Sequence, residues 1–165
     1  MNNKNICIVP GVFDPVTNGH LDIILRAAKI FDKVYAVSFV NSSKNNMFNS
    51  DERLEMLRIA CEDIENVTVD VTGELLAEYA KSKNAGFIIK GVRNIIDYEY
   101  EYNLFLINKS ISNNSIDTMF IPAKAEHLYI SSTFVREMIA YNRDISGYVP
   151  EKVNNYISEL IKNRI

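Results

Sequence analysis

The side chains in this sequence best suited to chemistry are a histidine, several cations and a group of hydroxyls, and they recur just after apolar runs. Ile6-Cys7-Ile8-Val9-Pro10 reads as a buried strand, and residues 11–20, Gly-Val-Phe-Asp-Pro-Val-Thr-Asn-Gly-His, lead from it into a helical pattern over 21–28. A Gly-bearing turn between strand and helix leaves backbone N–H groups at the helix start. Those groups and the helix dipole favour an anion, above all a phosphate. Gly19 carries no side chain to keep a ligand off the backbone, and His20 falls in the first helical turn beside any phosphate held there. The same turn also admits a purely geometric reading, with His20 a surface residue. Lys44 follows the second apolar run; Lys90, Gly91 and Arg93 follow the fourth; Ser131, Ser132 and Thr133 follow the fifth, with Arg136 one helical turn on.

The elements that must position these groups alternate along the chain. Leu21, Ile24, Leu25, Ala28 and Phe31 mark one face of a helix over 19–31, and 34–40 is apolar enough for a strand covered on both faces. After a polar loop over 41–49, Ser50 is the expected cap of a helix buried through Leu54, Leu57, Cys61 and Ile64. A strand over 67–71 follows. Thr72 is the expected cap of a helix through Leu75, Leu76, Tyr79 and Ala80, and a strand over 86–89 is broken by Lys90-Gly91-Val92-Arg93. Residues 97–111 are apolar or aromatic around more than one face, as in a helix that is central or covered by another subunit. A short strand over 118–121, a helix capped by Ser131 or Ser132, and a last helix opened by Pro150 complete the chain. Five strands alternating with helices make βαβ units, hence a doubly wound five-stranded parallel sheet with helices on both faces. Ligands in such sheets bind outside the carboxyl ends of the strands, the rim where all the groups above collect.

Composition bounds the partners. The 165 residues suit one domain, 1–165, with a substantial core. A net charge of −3 and a pI near 5.4 argue against a general nucleic-acid binder but admit a small anionic ligand. No apolar run approaches the roughly 20 residues that cross a bilayer, so no membrane association is expected. Cys7 and Cys61 sit in apolar runs without metal spacing and read as buried free thiols, which suits a reducing cytoplasm. There is no Gly-x-x-x-x-Gly-Lys-[Ser/Thr] loop and no Gly-x-Gly-x-x-Gly after the first strand, so neither a P-loop enzyme nor a dinucleotide cofactor is expected. Phosphoryl or nucleotidyl transfer remains open, because it needs positioning and charge stabilisation more than covalent help from protein.

Two segments resemble known signatures. Thr17-Asn18-Gly19-His20, after Gly11-Val12-Phe13-Asp14-Pro15, is similar to the Thr-x-Gly-His signature of the nucleotidyltransferase superfamily. Ile130-Ser131-Ser132-Thr133-Phe134-Val135-Arg136 resembles its second signature, Ile-Ser-Ser-Thr-x-x-Arg. With Lys90-Gly91-Val92-Arg93 and Asp97-Tyr98-Glu99-Tyr100-Glu101 between them, their order and spacing resemble the bacterial phosphopantetheine adenylyltransferase family over almost the whole chain. The resemblance implies direct in-line attack of the phosphate of 4′-phosphopantetheine on the α-phosphorus of ATP. The products would be dephospho-coenzyme A and pyrophosphate, formed with Mg²⁺ and without a covalent intermediate.

The resemblance also implies roles. His20 would donate to the α-phosphate. Val12, Phe13, Gly91, Val92, Arg93 and Glu101 would line the ATP site, and His127, Leu128, Tyr129, Ile130, Ser131, Ser132 and Thr133 would close over the triphosphate. Lys44, Lys90, Leu76 and Val12 would meet the acceptor, while Arg136 would brace the loop. No protein ligand for the metal is implied, and the family's homohexamer would explain the aromatic helix. Two positions depart from the pattern: Val12 stands where a hydroxyl residue is usual and Lys90 where Arg is usual. Lysine offers a point charge in place of a bidentate guanidinium. These departures leave open a related transferase using another phosphorylated acceptor or CTP, and, further off, a non-catalytic nucleotide sensor.

Overall fold

The computed structural model of the chain describes residues 5–40 and 46–164. The elements, in order, are β1 (Ile6–Gly11), α1 (Asn18–Ala28), β2 (Lys33–Phe39), α2 (Ser50–Cys61), β3 (Val67–Thr72), α3 (Leu76–Ser82), β4 (Phe87–Val92), α4 (Ile95–Ile111), β5 (Asp117–Pro122), α5 (Ser132–Ala140) and α6 (Glu151–Asn163), with a 3₁₀ turn at Ala125–His127 before α5. The five strands form one parallel sheet in the order β3-β2-β1-β4-β5. The expected doubly wound parallel sheet is therefore what the chain builds.

The order reverses between β1 and β4, and there the pairing also stops early. β1 pairs with β2 along its whole length, from Ile6–Lys33 to Gly11–Ser38. It pairs with β4 only at Cys7–Phe87 and Ile8–Ile88. Beyond those two steps the carboxyl halves of β1 and β4 are not paired, which leaves a crevice at the topological switch point.

The two faces of the sheet are unequally covered. One carries the larger core, where Cys7, Val9, Val34 and Ala36 pack with Ile24 and Ala27 of α1, Met56 and Leu57 of α2, Val135 of α5 and Val153 and Ile157 of α6. The other is smaller: Ile8, Val37 and Ile88 pack with Ala77, Tyr79 and Ala80 of the short α3. Both cysteines are free and buried, and burial pushes each thiol up to about 12.

Local boundaries differ from the sequence reading for identifiable reasons. α1 starts at Asn18 on a Thr17 cap and ends at Ala28; Phe31 is buried beyond it. Its buried stripe is Asp22, Ile23, Ile24 and Ala27, and Leu25 is exposed. Asn49, not Ser50, caps α2: its Oδ1 accepts from the N–H groups of Asp51 and Glu52 at 3.0 and 2.9 Å, and Glu52 Oε2 accepts from Asn49 N–H. Thr72 caps nothing, because β3 holds it in register with Phe39, and α3 begins four residues later without a side-chain cap. Lys90, Gly91 and Val92 do not break β4, since Phe120, Ile121 and Pro122 of β5 continue as their partners. Ser131 is the cap of α5 and Pro150 stands just before α6.

Candidate active site

The turn after β1 is held in one shape from several directions. Phe13 takes a left-handed backbone conformation, φ 51°. Its ring folds back over Gly11, where a Cβ would come within 2.8 Å of the ring atoms, so only glycine fits. Asp14, buried, accepts from Phe48 N–H at 2.9 Å through Oδ1 and from Met47 N–H at 3.0 Å through Oδ2. That carboxylate ties Met47 and Phe48, just before α2, to the first signature. Arg136 of α5 donates to the Asp14 carbonyl at 2.7 Å, and Ser132 Oγ donates to the Pro15 carbonyl at 2.8 Å.

His20 is the third residue of α1 and completes its cap. Thr17 Oγ1 accepts from His20 N–H at 3.3 Å, and Thr17 N–H donates to His20 Nδ1 at 3.1 Å. Because Nδ1 accepts, the neutral ring carries its proton on Nε2, leaving that nitrogen as a donor. The Phe13 ring meets the imidazole edge-on, with centroids 5.1 Å apart. Desolvation, with Arg93 nearby, lowers the pKa of His20 from 6.5 to about 4. The ring is therefore neutral at physiological pH in the free protein.

Two adjoining cavities fill the split between β1 and β4. The first, about 520 Å³, is lined by Gly19, Gly91, Arg93, Asp97, His127, Ile130, Ser131, Ser132 and Thr133, among others. The second, about 420 Å³, is lined by Gly11, Val12, Phe13, Phe39, Leu76, Lys90 and Leu104, among others. His20, Ile23, Gly91, Tyr100 and Glu101 border both. A third hollow beside Asp14 and Arg136 also reaches Val12, Phe13, His20, Ser132 and Thr133.

The far wall is built from β4, α4 and the loop before α5. A Cβ at Gly91 would lie 2.9 Å from the Ile23 side chain of α1, so a larger residue there requires Ile23 to shift. Arg93 forms a two-nitrogen pair with Asp97, Nε to Oδ2 at 2.8 Å and NH2 to Oδ1 at 3.3 Å, and NH1 donates to the Ile130 carbonyl at 3.3 Å. Arg93 holds the Asp97 carboxyl below its ordinary range. Lys90 Nζ lies 3.0 Å from Glu101 Oε2. The loop after β5 is strapped to α1: Lys124 pairs with Asp22 at 2.6 Å and Arg26 donates to the Pro122 carbonyl at 2.7 Å. That strap places His127 beside Gly19.

Most of the expected site residues thus converge. Val12, Phe13, His20, Leu76, Lys90, Gly91, Arg93, Glu101, His127, Ile130, Ser131, Ser132 and Thr133 all border this cavity system. Val92 lies on the strand between two lining residues without facing either cavity, and Leu128 and Tyr129 are exposed outside the lining. Lys44 lies outside the described residues. Ser131 and Ser132 contribute a helix start rather than free hydroxyls, because Ser131 Oγ accepts from Phe134 N–H and Ser132 Oγ is spent on Pro15. Asp14, Tyr100 and Asp97 also line the cavities; they fall within the motif segments, but the resemblance implies no site role for them. The i, i+4 spacing of Arg93 and Asp97 was the signal for that pair.

Comparison with known proteins gives the family and the fold. Residues 8–138 match the family described as cytidylyltransferase-like. The chain is 42% identical to a phosphopantetheine adenylyltransferase of Caldanaerobacter subterraneus subsp. tengcongensis over 157 residues, which is 95% of this chain and 98% of that protein. A crystal structure from Vibrio parahaemolyticus, provisionally assigned as a nicotinate-nucleotide adenylyltransferase, superposes with a TM-score of 0.72 over 94% of this chain and 93% of its own. At 21% identity that likeness establishes the fold alone. The two signatures, the crevice they build at the switch point and the extent of the match place this chain in the phosphopantetheine adenylyltransferase family of cytidylyltransferase-like nucleotidyltransferases.

Proposed function

We propose that the protein transfers AMP from ATP to 4′-phosphopantetheine, giving dephospho-coenzyme A and pyrophosphate. One observation carries this reading: His20 stands on the border shared by two adjoining cavities, one amide-rich and cationic, the other lined by Leu76, Phe39 and Leu104 with Lys90 at its side. The first suits a triphosphate, near Arg93 and the start of α5. The second suits an acceptor with an apolar arm and a phosphate. An oxygen of the acceptor phosphate forms a bond to the α-phosphorus, the bond from that phosphorus to the bridging oxygen breaks, and pyrophosphate leaves with the electron pair. His20 Nε2–H donates to the α-phosphate as its charge grows, while the Thr17 N–H bond to Nδ1 keeps the ring aimed. No nucleophilic side chain is needed.

Among the described residues, no group of three or more His, Cys, Asp or Glu side chains could hold a metal ion. The carboxylates of the crevice, Asp97 and Glu101, already face Arg93 and Lys90. The residues do not fit a resident metal, so Mg²⁺ belongs in this reading with the nucleotide, as part of the substrate. Lys44, outside the described residues, is the further cation this reading expects for the acceptor phosphate.

The assembly reading is a homohexamer. α4 has no buried residue, and Tyr98, Tyr102, Leu106, Ile107 and Ile111 are exposed along it, more apolar surface than a lone helix usually leaves in water. Sedimentation showing a stable monomer at micromolar concentration would overturn it. No helix among the described residues is long and apolar enough to cross a membrane, and the two reduced thiols favour a cytoplasmic location. The decisive experiment measures pyrophosphate release from ATP with and without 4′-phosphopantetheine. Release should depend on that acceptor; release with a different phosphorylated acceptor only would replace the reading.

A further inference from the structure

Arg53 belongs to neither cavity, yet it is among the most buried side chains in the protein, 1% exposed in the second turn of α2. Its NH1 donates to the Val12 carbonyl at 2.7 Å, reaches Ser38 Oγ at 3.2 Å and approaches the Phe39 carbonyl at 3.4 Å. Ser38 Oγ donates to the same Val12 carbonyl at 3.1 Å. Two donors from β2 and α2 therefore converge on one carbonyl of the first signature. A buried guanidinium is costly to keep without a purpose or full pairing, and among the described residues Arg53 Nε has no partner.

The peptide joining Val12 and Phe13 is trans, since the cis bond in this turn is Asp14–Pro15. In a trans peptide the C=O and the following N–H point in opposite directions. A carbonyl drawn toward Arg53 and Ser38 thus turns the Phe13 N–H away from α2. Val12 and Phe13 both line the hollows that His20 borders, so the orientation of this peptide decides which of its two polar groups those hollows meet. A flipped peptide would present an oxygen to a phosphate and repel it. Val12 has no hydroxyl to offer instead, so the direction of this amide decides what the position can give an anion.

We propose that Arg53 is a positioning residue that, with Ser38, locks the Val12–Phe13 peptide so that the Phe13 amide faces the phosphates of the substrates. It touches no substrate; it acts through the Val12 carbonyl. This inference rests on the proposed adenylyl transfer for its kinetic readout only.

The test uses ¹⁵N-labelled full-length protein with ATP as the probe, alongside turnover and thermal unfolding. In the wild type the Phe13 amide resonance moves when ATP is added. In Arg53→Met it should shift in the free protein and lose its response to ATP, and kcat per folded molecule should fall about tenfold or more, as for loss of an aimed donor. Arg53→Lys, which keeps one cationic donor, should recover most of both. Ser38→Ala, which removes only the second donor, should show the same changes in smaller measure. An Arg53→Met protein with lowered melting temperature but unchanged kcat and an unchanged Phe13 response would overturn the proposal. Should Arg53→Met fail to fold, an unmoved Phe13 amide in both Arg53→Lys and Ser38→Ala would overturn it equally. If the wild type releases no pyrophosphate with 4′-phosphopantetheine but its Phe13 amide answers ATP in an Arg53-dependent way, the acceptor assignment falls and the positioning role stands.

Discussion

The two walls of the crevice are held by different kinds of bond. On the β1–α1 side, Asp14 and Arg53 are 2% and 1% exposed, and both hold main-chain groups. On the β4–α4 side the main ties are ion pairs of side chains: Arg93–Asp97, 35% and 25% exposed, which also takes in the Arg93 N–H and the Ile130 carbonyl, and Lys90–Glu101, 16% and 18% exposed, with both carboxylates on a helix that has no buried residue. Removing one partner of a buried network strands the rest without water. Removing one partner of a partly exposed pair such as Arg93–Asp97 lets solvent take its place. The first wall therefore fixes the His20 turn. In the proposed reading the second keeps the Arg93 guanidinium on a partly exposed carboxylate that a phosphate can displace at low cost. On the same reading, rigidity sits beside His20 and exchangeable charge sits across the crevice from it.

The largest expected effect comes from His20→Ala. Loss of one aimed donor at the transferring phosphorus should lower kcat by about 100- to 1000-fold. The fold should survive, because the substitution removes only half of the α1 cap, at a cost of about 1 kcal/mol. Steady-state pyrophosphate release with circular dichroism on the same sample checks both parts, and near-normal turnover would remove His20 from the mechanism.

Asp14→Asn tests the rigid wall without touching His20. Asparagine has one carbonyl oxygen, whereas Asp14 accepts from two separate N–H groups, Met47 and Phe48, in a buried place. One N–H would face an NH₂ group, and Arg136, 3.5 Å from Oδ2, would lose its counter-charge. A destabilisation of about 2 kcal/mol follows, read from the urea midpoint at unchanged slope.

The pH response of His20 sharpens the same wall. The folded ring titrates at about 4 and an unfolded histidine near 6.5. Between those values the unfolded chain binds a proton that the folded protein refuses, so this group's contribution to stability is full above 6.5 and is lost as pH falls toward 4. Following the His20 ring by NMR should give a midpoint well below 6.5 in the free protein. A midpoint at the ordinary value would mean that the ring is not desolvated as the geometry implies.

The unequal walls also explain what could be read from sequence. Strand and helix existence follow from apolar periodicity, and the signatures carry His20, Arg93 and the α5 start, so the crevice was legible as a convergence of loop residues. Arg53 was not. A single arginine inside an amphipathic pattern looks like a solvated face, and nothing local shows that Val12 and Ser38, both distant in sequence, will bring acceptors to it. The Thr72 cap failed for a related reason: a β3 register set by Phe39 overrode a local preference. Lys90 looked like the start of a loop because its β-partner, Phe120, lies 30 positions on. Local signals found the chemistry, and long-range pairing decided which residues hold it in place.

Asp97→Asn is the counterpart of Asp14→Asn on the exchangeable wall and should have the smallest effect. The substitution removes the charge facing Arg93 and turns one acceptor oxygen into an NH₂ group beside an Arg93 N–H, but here both side chains reach solvent. Asn94 still caps α4 through the Asp97 N–H, since that bond uses the main chain. With both side chains about a quarter or more exposed, the stability loss should stay within about 0.5 kcal/mol at moderate salt, and should shrink further as salt rises. The pH dependence gives a second check. Arg93 lowers the Asp97 pKa, so the wild type's advantage is present above the ordinary aspartate value of 3.8 and is lost as pH falls through the lowered one. Unfolding midpoints of the two proteins should therefore differ slightly at pH 7 and coincide in strong acid. A loss at pH 7 as large as that of Asp14→Asn would mean that the Arg93 side of the crevice is as rigidly built as the His20 side, and the division of labour between the walls would not hold.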